Sequence, residues 1–193
     1  MPARRTPLVL AATLTLAVLL TGCGGGSTAG ALHPGSASAS SAADGEAGNA
    51  ASEASLPAST LDFTATTLAG KPFAAATALA GKQTVIWFWA PGSSACLAEA
   101  PSIQAVAARF GQQVTFVGVA GGGAVDDLKK FVSDTGLDGF THLIDTSRAI
   151  STRFQVGHQP AFAFVKPGGA IESVAGPLTD EQLSDRITAL AQP

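Results

Sequence analysis

Apolar and polar residues recur with two different periods along residues 59–193, and these periods predict the secondary structure. Alternation is typical of a strand with one buried face, and an unbroken apolar run is typical of a strand buried on both faces. Strands are predicted at 61–66, 84–90, 114–119, 140–144, 161–165 and 170–174. Apolar residues three and four positions apart predict helices at 95–110, 126–135 and 147–154, a last helix from 179, and a short helical or irregular connection at 76–79.

The order of these elements predicts the fold class. Strands alternate with helices up to residue 160, which favours parallel strands joined by crossover helices. The turn sequence Lys-Pro-Gly-Gly at 166–169 joins the last two strands as an antiparallel hairpin. Thr179 and Gln182 then form a capping-box pattern at the start of the last helix. We therefore predict an α/β domain with a central mixed β-sheet flanked by helices.

The first 22 residues have the pattern of a bacterial lipoprotein signal peptide. Arg4 and Arg5 precede an apolar run at 8–20, which is shorter than a membrane-spanning helix needs. The run ends in Leu-Thr-Gly-Cys, which resembles a lipobox whose cysteine, Cys23, becomes the lipidated N-terminus. We expect a protein lipid-anchored through Cys23 to the outer face of the cytoplasmic membrane.

Composition separates a tether from the folded domain. Residues 23–58 contain mainly Gly, Ser and Ala, and such a segment cannot bury enough apolar surface to offset its ordering entropy. We predict a lipidated cysteine and flexible tether at 23–58 and one folded domain at 59–193. The net charge of −3 gives no basic surface for nucleic acid, so no nucleic-acid partner is expected.

The chain has two cysteines, and only Cys96 is free once Cys23 is lipidated. Cys96 stands where the helix 95–110 begins, directly after an apolar strand and a Pro-Gly break. A helix N-terminus lowers a thiol pKa, whereas apolar burial raises it. Two interpretations follow: an inert buried thiol, or an accessible thiol that forms mixed disulfides with a partner.

Four segments resemble exported thioredoxin-like thiol–disulfide oxidoreductases of the TlpA/ResA/DsbE type, and above all the actinobacterial DsbE/DsbF-like proteins. They are Phe-Thr-Ala-Thr-Thr-Leu at 63–68, Trp-Phe-Trp-Ala-Pro at 87–91, Ala-Glu-Ala-Pro-Ser at 98–102, and the run 156–165. The resemblance implies a thioredoxin-like fold from residue 61 to 190.

The same resemblance assigns the candidate catalytic residues. Gly92 and Ser93 occupy the positions of the tryptophan and first cysteine of a W-C-x-x-C motif, and Cys96 occupies that of the second cysteine. A serine hydroxyl forms no disulfide, so we expect Ser93 or Ser94 to cap the helix. Glu99, three residues after Cys96, is implied to modulate the proton of the thiol, and a carboxylate there raises a thiol pKa.

The resemblance also assigns a substrate-binding surface. Pro160 matches the family's cis-proline, which faces the site and presents the preceding backbone to an extended substrate. Gln159 is then expected beside Cys96, with His158 at the rim and Gly92 leaving the thiol less covered.

Three functional hypotheses remain open. Without a second sulfur the domain supports at most one-thiol, mixed-disulfide chemistry at Cys96; alternatively it is a non-catalytic binding module. A third hypothesis is a peroxiredoxin-like thiol peroxidase, since Ser93, Cys96 and Glu99 echo a T-x-x-C-x-x-E pattern, although Trp89 replaces its usual proline. Expected partners are exported proteins or extended peptides and a membrane redox partner, with no cofactor and no metal.

Overall fold

The computed structural model describes residues 53–190 and residue 192. The strands are β1 (Glu53–Leu56), β2 (Thr64–Thr66), β3 (Pro72–Ala74), β4 (Thr84–Trp89), β5 (Thr115–Ala120), β6 (Thr141–Ile144), β7 (Ala161–Val165) and β8 (Ile171–Ala175). The helices are α1 (Ala75–Ala78), α2 (Ser94–Phe110), α3 (Val125–Thr135), α4 (Ala149–Arg153) and α5 (Asp180–Leu190), and a short 3-10 helix spans Ala58–Leu61.

The main sheet is mixed, with strand order β1-β8-β7-β4-β5-β6. The central strand β4 runs parallel to β5, which runs parallel to β6. On the other side β4 pairs antiparallel with β7, and β8 and β1 follow, each antiparallel to its neighbour. The predicted α/β class, with crossover helices and a closing hairpin, is confirmed.

Strand β4 lies in the interior of the sheet, and all six of its residues are buried. Side chains alternate between the two faces of a strand, so β4 supplies both halves of the core. Val85, Trp87 and Trp89 belong to the apolar cluster that takes in residues of α2, α3 and α5. Ile86 and Phe88 belong to the cluster on the other face, which contains residues of α4. Helices therefore cover both faces of the sheet.

The N-terminal part of the domain differs from the prediction. Residues 53–56, assigned to the tether 23–58, form the edge strand β1, and residues 61–66, predicted as one strand, contain the end of the 3-10 helix and β2. For β1 the reason is long-range: it pairs antiparallel with β8, and Arg186 of α5 forms ion pairs with Glu53 of β1 and Glu172 of β8. Pairing of this kind leaves no local periodicity to detect.

The predictions for the N-terminal segments fall outside the structure, and one further helix differs from its prediction. The predicted signal peptide 1–22, Cys23 and the tether up to residue 52 lie outside the described residues. The helix predicted at 147–154 is shorter, Ala149–Arg153, and its preceding residue Arg148 has a left-handed backbone with φ of 60°. Over the described part of the chain, none of the helices has the length and apolarity to span a membrane.

Candidate functional site

The junction between β4 and α2 holds the residues predicted to carry the chemistry. Ser93 has an extended backbone with φ −88° and ψ 114°, and its Oγ accepts a hydrogen bond from the Cys96 backbone N–H at 3.2 Å. This contact satisfies one of the N–H groups that a helix start leaves unpaired. Ser93 therefore caps α2, and it is one of the two serines, Ser93 and Ser94, that we expected as the cap.

The Cys96 thiol is closed off from solvent. The residue is 0% exposed and is a free cysteine. Burial raises its pKa above the usual thiol value, and the nearby Glu99 carboxylate acts in the same direction. Hydrogen bonding to Ser93 and to the backbone of Ala90 opposes these effects without reversing them. Of the two interpretations of Cys96, a buried thiol or an accessible one, the structure agrees with the buried thiol.

Glu99 joins three elements through a buried carboxylate. Its Oε2 accepts a hydrogen bond from the Trp87 indole N–H of β4 at 2.9 Å, and its Oε1 accepts one from the Leu178 backbone N–H before α5 at 2.7 Å. Burial raises the pKa of Glu99 to about 7 in spite of these two bonds. The sequence placed Glu99 on the face of Cys96 but gave no sign of either hydrogen-bond donor.

The loop before β7 brings the predicted substrate-binding residues to the same end of the sheet. The Gln159–Pro160 peptide bond is cis, and the Pro160 carbonyl accepts a hydrogen bond from Gly176 N–H at 3.1 Å. Gln159 is half-buried, and its side-chain amide lies against Gly121; its expected neighbour was Cys96. The Nε2 of Gln159 is buried without a hydrogen-bond partner in the described residues. His158 is exposed, as expected at a rim.

Strand directions explain why these residues converge. Chain order places the end of β4 before α2, and the pairing of Phe88 with Ala161 sets the start of β7 beside it. Ala161 in turn pairs with Ala175 at the end of β8. The start of α2, which carries Cys96, and the loops that carry Pro160 and the Leu178 N–H therefore meet at one end of these strands.

His142 is a buried polar residue that the sequence reasoning missed. It is 5% exposed; its Nδ1 lies 3.2 Å from Trp89 Nε1, and its Nε2 lies 2.9 Å from the Leu137 carbonyl. An indole N–H only donates, so Nδ1 accepts and Nε2 carries the proton. Burial lowers the pKa of this imidazole. A buried tryptophan requires a partner for its N–H, and that was the available signal.

Gly118 makes this contact possible. It lies on β5, between β4 and β6, and pairs with Trp87 on one side and with His142 on the other. A Cβ at this position would lie 2.1 Å from His142 Nδ1 and 2.9 Å from Trp89 Nε1. No other residue type leaves room for the two rings to meet across the strand.

A groove of about 710 Å³ opens beside the site, between the start of α2 and α3. Gly92, predicted to bind substrate, lines it together with Leu97 and the glycine run 121–123. A Cβ added to Gly92 would meet no atom within 4 Å, so this wall of the groove is open. Within the described residues, no three His, Cys, Asp or Glu side chains group as a metal site would require.

Comparison with known proteins agrees with this architecture. The model of the AhpC/TSA family matches residues 57–174. The soluble secreted antigen MPT53 of Mycobacterium tuberculosis is 44% identical over 133 residues, which cover 67% of this chain and 75% of the relative. The structure of MTB DsbF in mixed oxidized and reduced forms is 43% identical with a TM-score of 0.67, over 70% of this chain and 99% of that one.

A second solved structure is a secreted Mycobacterium tuberculosis disulfide oxidoreductase homologous to E. coli DsbE. It is 44% identical with a TM-score of 0.63, over 67% of this chain and 97% of that one. The thioredoxin-like fold is therefore confirmed. The chain belongs to the AhpC/TSA family, among its thioredoxin-like thiol–disulfide oxidoreductases of the DsbE/DsbF type.

Proposed function

We propose that this protein is an exported, lipid-anchored thioredoxin-like protein that binds extended segments of other exported polypeptides, with at most one-thiol chemistry at Cys96. The observation that carries the proposal is the pairing of a capping Ser93 with a fully buried Cys96 at the start of α2. The loop of Gln159 and Pro160 before β7, which lies at the same end of the sheet as this junction, supports a retained peptide-binding surface. Relatives described as secreted support export.

The chemistry available to one sulfur is limited. In mixed-disulfide exchange, a Cys96 thiolate would attack a partner's disulfide; one new S–S bond forms, and the second partner sulfur leaves as a thiolate that takes up a proton. Release of the partner would need an external thiol, because Ser93 supplies no second sulfur. The buried thiol with its raised pKa disfavours the first step, so the geometry favours binding over exchange.

The peroxidase hypothesis has less support. A peroxidatic cysteine must ionise and meet a peroxide, and Cys96 is enclosed with a raised pKa. Glu99, the acidic member of the motif, bonds Trp87 and Leu178 and raises the thiol pKa instead of lowering it.

Thiol accessibility tests the proposal directly. In the full chain with Cys96 as the titrated thiol, we expect alkylation by iodoacetamide at pH 8 to be at least about tenfold slower in the folded protein than in 8 M urea, because burial limits both access and ionisation. Cys96→Ala is the blank. Equal rates in the two conditions would mean that Cys96 is accessible in the folded protein and would favour one-thiol exchange over binding alone.

Restoring the missing sulfur tests the assignment of Ser93. We expect Ser93→Cys to form an intramolecular disulfide with Cys96 and to gain insulin-reducing activity with dithiothreitol, because the two residues share the first turn of α2. The matched control is Ser94→Cys, at the exposed neighbouring position. The assignment of Ser93 to the first-cysteine position is wrong if the wild type reduces insulin as fast as Ser93→Cys.

Glu99 should give the protein a pH-dependent stability. A carboxyl whose pKa is raised from 4.5 to about 7 on folding binds its proton more tightly in the folded state. The free energy of unfolding therefore falls as pH rises from about 4.5 to 7, by about 3 kcal/mol for this group. We expect Glu99→Gln to lack this decline in urea unfolding measured at pH 4.5 to 8.

The control for that measurement is Glu181→Gln, on the exposed first turn of α5. The wild type and Glu99→Gln differ in one carboxyl group only, so the difference between their pH profiles reports Glu99. Glu181→Gln shows the effect of removing an exposed carboxyl group. A wild type and Glu99→Gln with parallel pH profiles would contradict the buried, protonated carboxyl.

The proposed anchor has its own test. We expect the full chain, expressed in a bacterium, to incorporate radiolabelled palmitate and to sediment with membranes, because two acyl chains bind stably. Cys23→Ser should lose the label and appear in the soluble fraction. If the wild type is soluble and unlabelled, lipid anchoring is contradicted and secretion without an anchor takes its place.

A further inference from the structure

A second cavity opens beside β6, the strand at one edge of the sheet. Its volume of about 620 Å³ lies within the range of small-molecule sites. One side is the turn 67–71 between β2 and β3, which is fixed to β6 because the Leu68 N–H donates to the His142 carbonyl at 2.8 Å. Residues of α3 and the loop 138–140 line the rest. None of the lining residues belongs to the site around Cys96, so this cavity is a separate feature.

One part of the cavity lining is apolar and includes an aromatic ring. Leu68, Val132 and Phe140 contribute to it. Phe140 is half-buried, and its ring centroid lies 4.5 Å from that of His142 and 5.9 Å from that of Phe116. Burial lowers the pKa of His142, so its imidazole adds no charge at neutral pH. Aromatic rings gain free energy from stacking beyond that of burial, and this lining therefore favours a planar apolar group.

The charged part of the lining is mainly positive. Lys71 of the turn and Lys129 of α3 line the cavity, and Asp138 is the acidic residue beside them. The ion pairs found among the described residues involve none of these three. By contrast Lys130, the next residue along α3, is paired with Asp134 at 2.7 Å. Two ammonium groups and one carboxylate give the cavity a net positive charge, which matches a ligand with a single negative charge.

We propose that this cavity binds a small aromatic carboxylate. The ring of the ligand lies against the apolar part of the lining, and its carboxylate accepts hydrogen bonds from the ammonium groups of Lys71 and Lys129. A carboxylate carries one negative charge at neutral pH, whereas a phosphate monoester carries nearly two and would be repelled more strongly by Asp138. The inference goes beyond the proposed function, because it needs neither Cys96 nor a polypeptide partner.

Equilibrium dialysis with three small molecules tests the class of ligand. The full chain in phosphatidylcholine nanodiscs is dialysed against benzoate, its neutral analogue benzamide, or acetate, and empty nanodiscs correct for partition into lipid. We expect saturable binding of benzoate, with a dissociation constant at least about threefold larger for benzamide and at least about tenfold larger for acetate. Binding of benzoate should weaken as the salt concentration rises, because ions screen the exposed ammonium groups.

Substitutions of the charged residues test how the carboxylate is held. We expect Lys71→Gln and Lys129→Gln each to weaken benzoate binding at least about twofold, because each removes one ammonium group. Asp138→Asn should strengthen it by a similar factor, because it removes a like charge. Lys166→Gln is the matched control, since it removes the same charge from an exposed lysine in the turn between β7 and β8.

Filling the cavity tests where the ligand binds. Gly139 lines the cavity, and a Cβ there would meet no atom within 4 Å, so we expect Gly139→Trp to weaken benzoate binding at least about fivefold. Gly168→Trp is the control, since it is equally unobstructed in the turn between β7 and β8. The proposal is overturned if benzoate shows no saturable binding, if benzamide binds as tightly, or if the double variant of Lys71→Gln and Lys129→Gln binds like wild type. None of these outcomes depends on the reactivity of Cys96, which alkylation measures separately.

Discussion

The buried carboxylate of Glu99 is the contact on which the geometry of the site depends. It bonds the Trp87 indole from the central strand and the Leu178 backbone N–H from the loop before the last helix. Removing a carboxylate from water costs several kcal/mol unless hydrogen bonds replace the lost solvation. Two donors reduce that cost but do not cancel it, as the raised pKa of Glu99 indicates. Loss of either donor would leave one oxygen of this buried carboxyl without a hydrogen-bond partner.

The position of Cys96 follows from that constraint. It lies one turn before Glu99, so the contacts that hold α2 against β4 also bury the thiol. Helix N-termini usually stabilise a thiolate through free N–H groups. Here the Cys96 N–H donates to Ser93 Oγ, and burial of the sulfur raises its pKa in spite of the hydrogen bonding to Ser93 and Ala90. A capping hydroxyl and a buried sulfur together favour a stable helix start over a reactive one.

How much of the molecule the sequence predicted depended on the range of the interactions. Strands β4, β7 and β8, helix α2 and the cap at Ser93 follow from patterns within a few residues, and the structure has them. Strand β1 depends on pairing with β8, more than a hundred residues away, and its own sequence resembles a tether. The link between Trp89 and His142 likewise depends on strand neighbours brought together by the fold.

The buried thiol and the open groove beside it are separate features of this end of the domain. Because Gly118 has no side chain, the Trp89 and His142 rings can meet across β5. The same Trp89 ring stacks on Phe131, which lines the groove. The support of the groove is thus part of the core, because Phe131 and Trp89 belong to the same buried cluster. The sulfur lies behind Ser93, whereas the groove opens to solvent past Gly92 and Leu97. The open surface at this end of the sheet is therefore the groove and not the thiol.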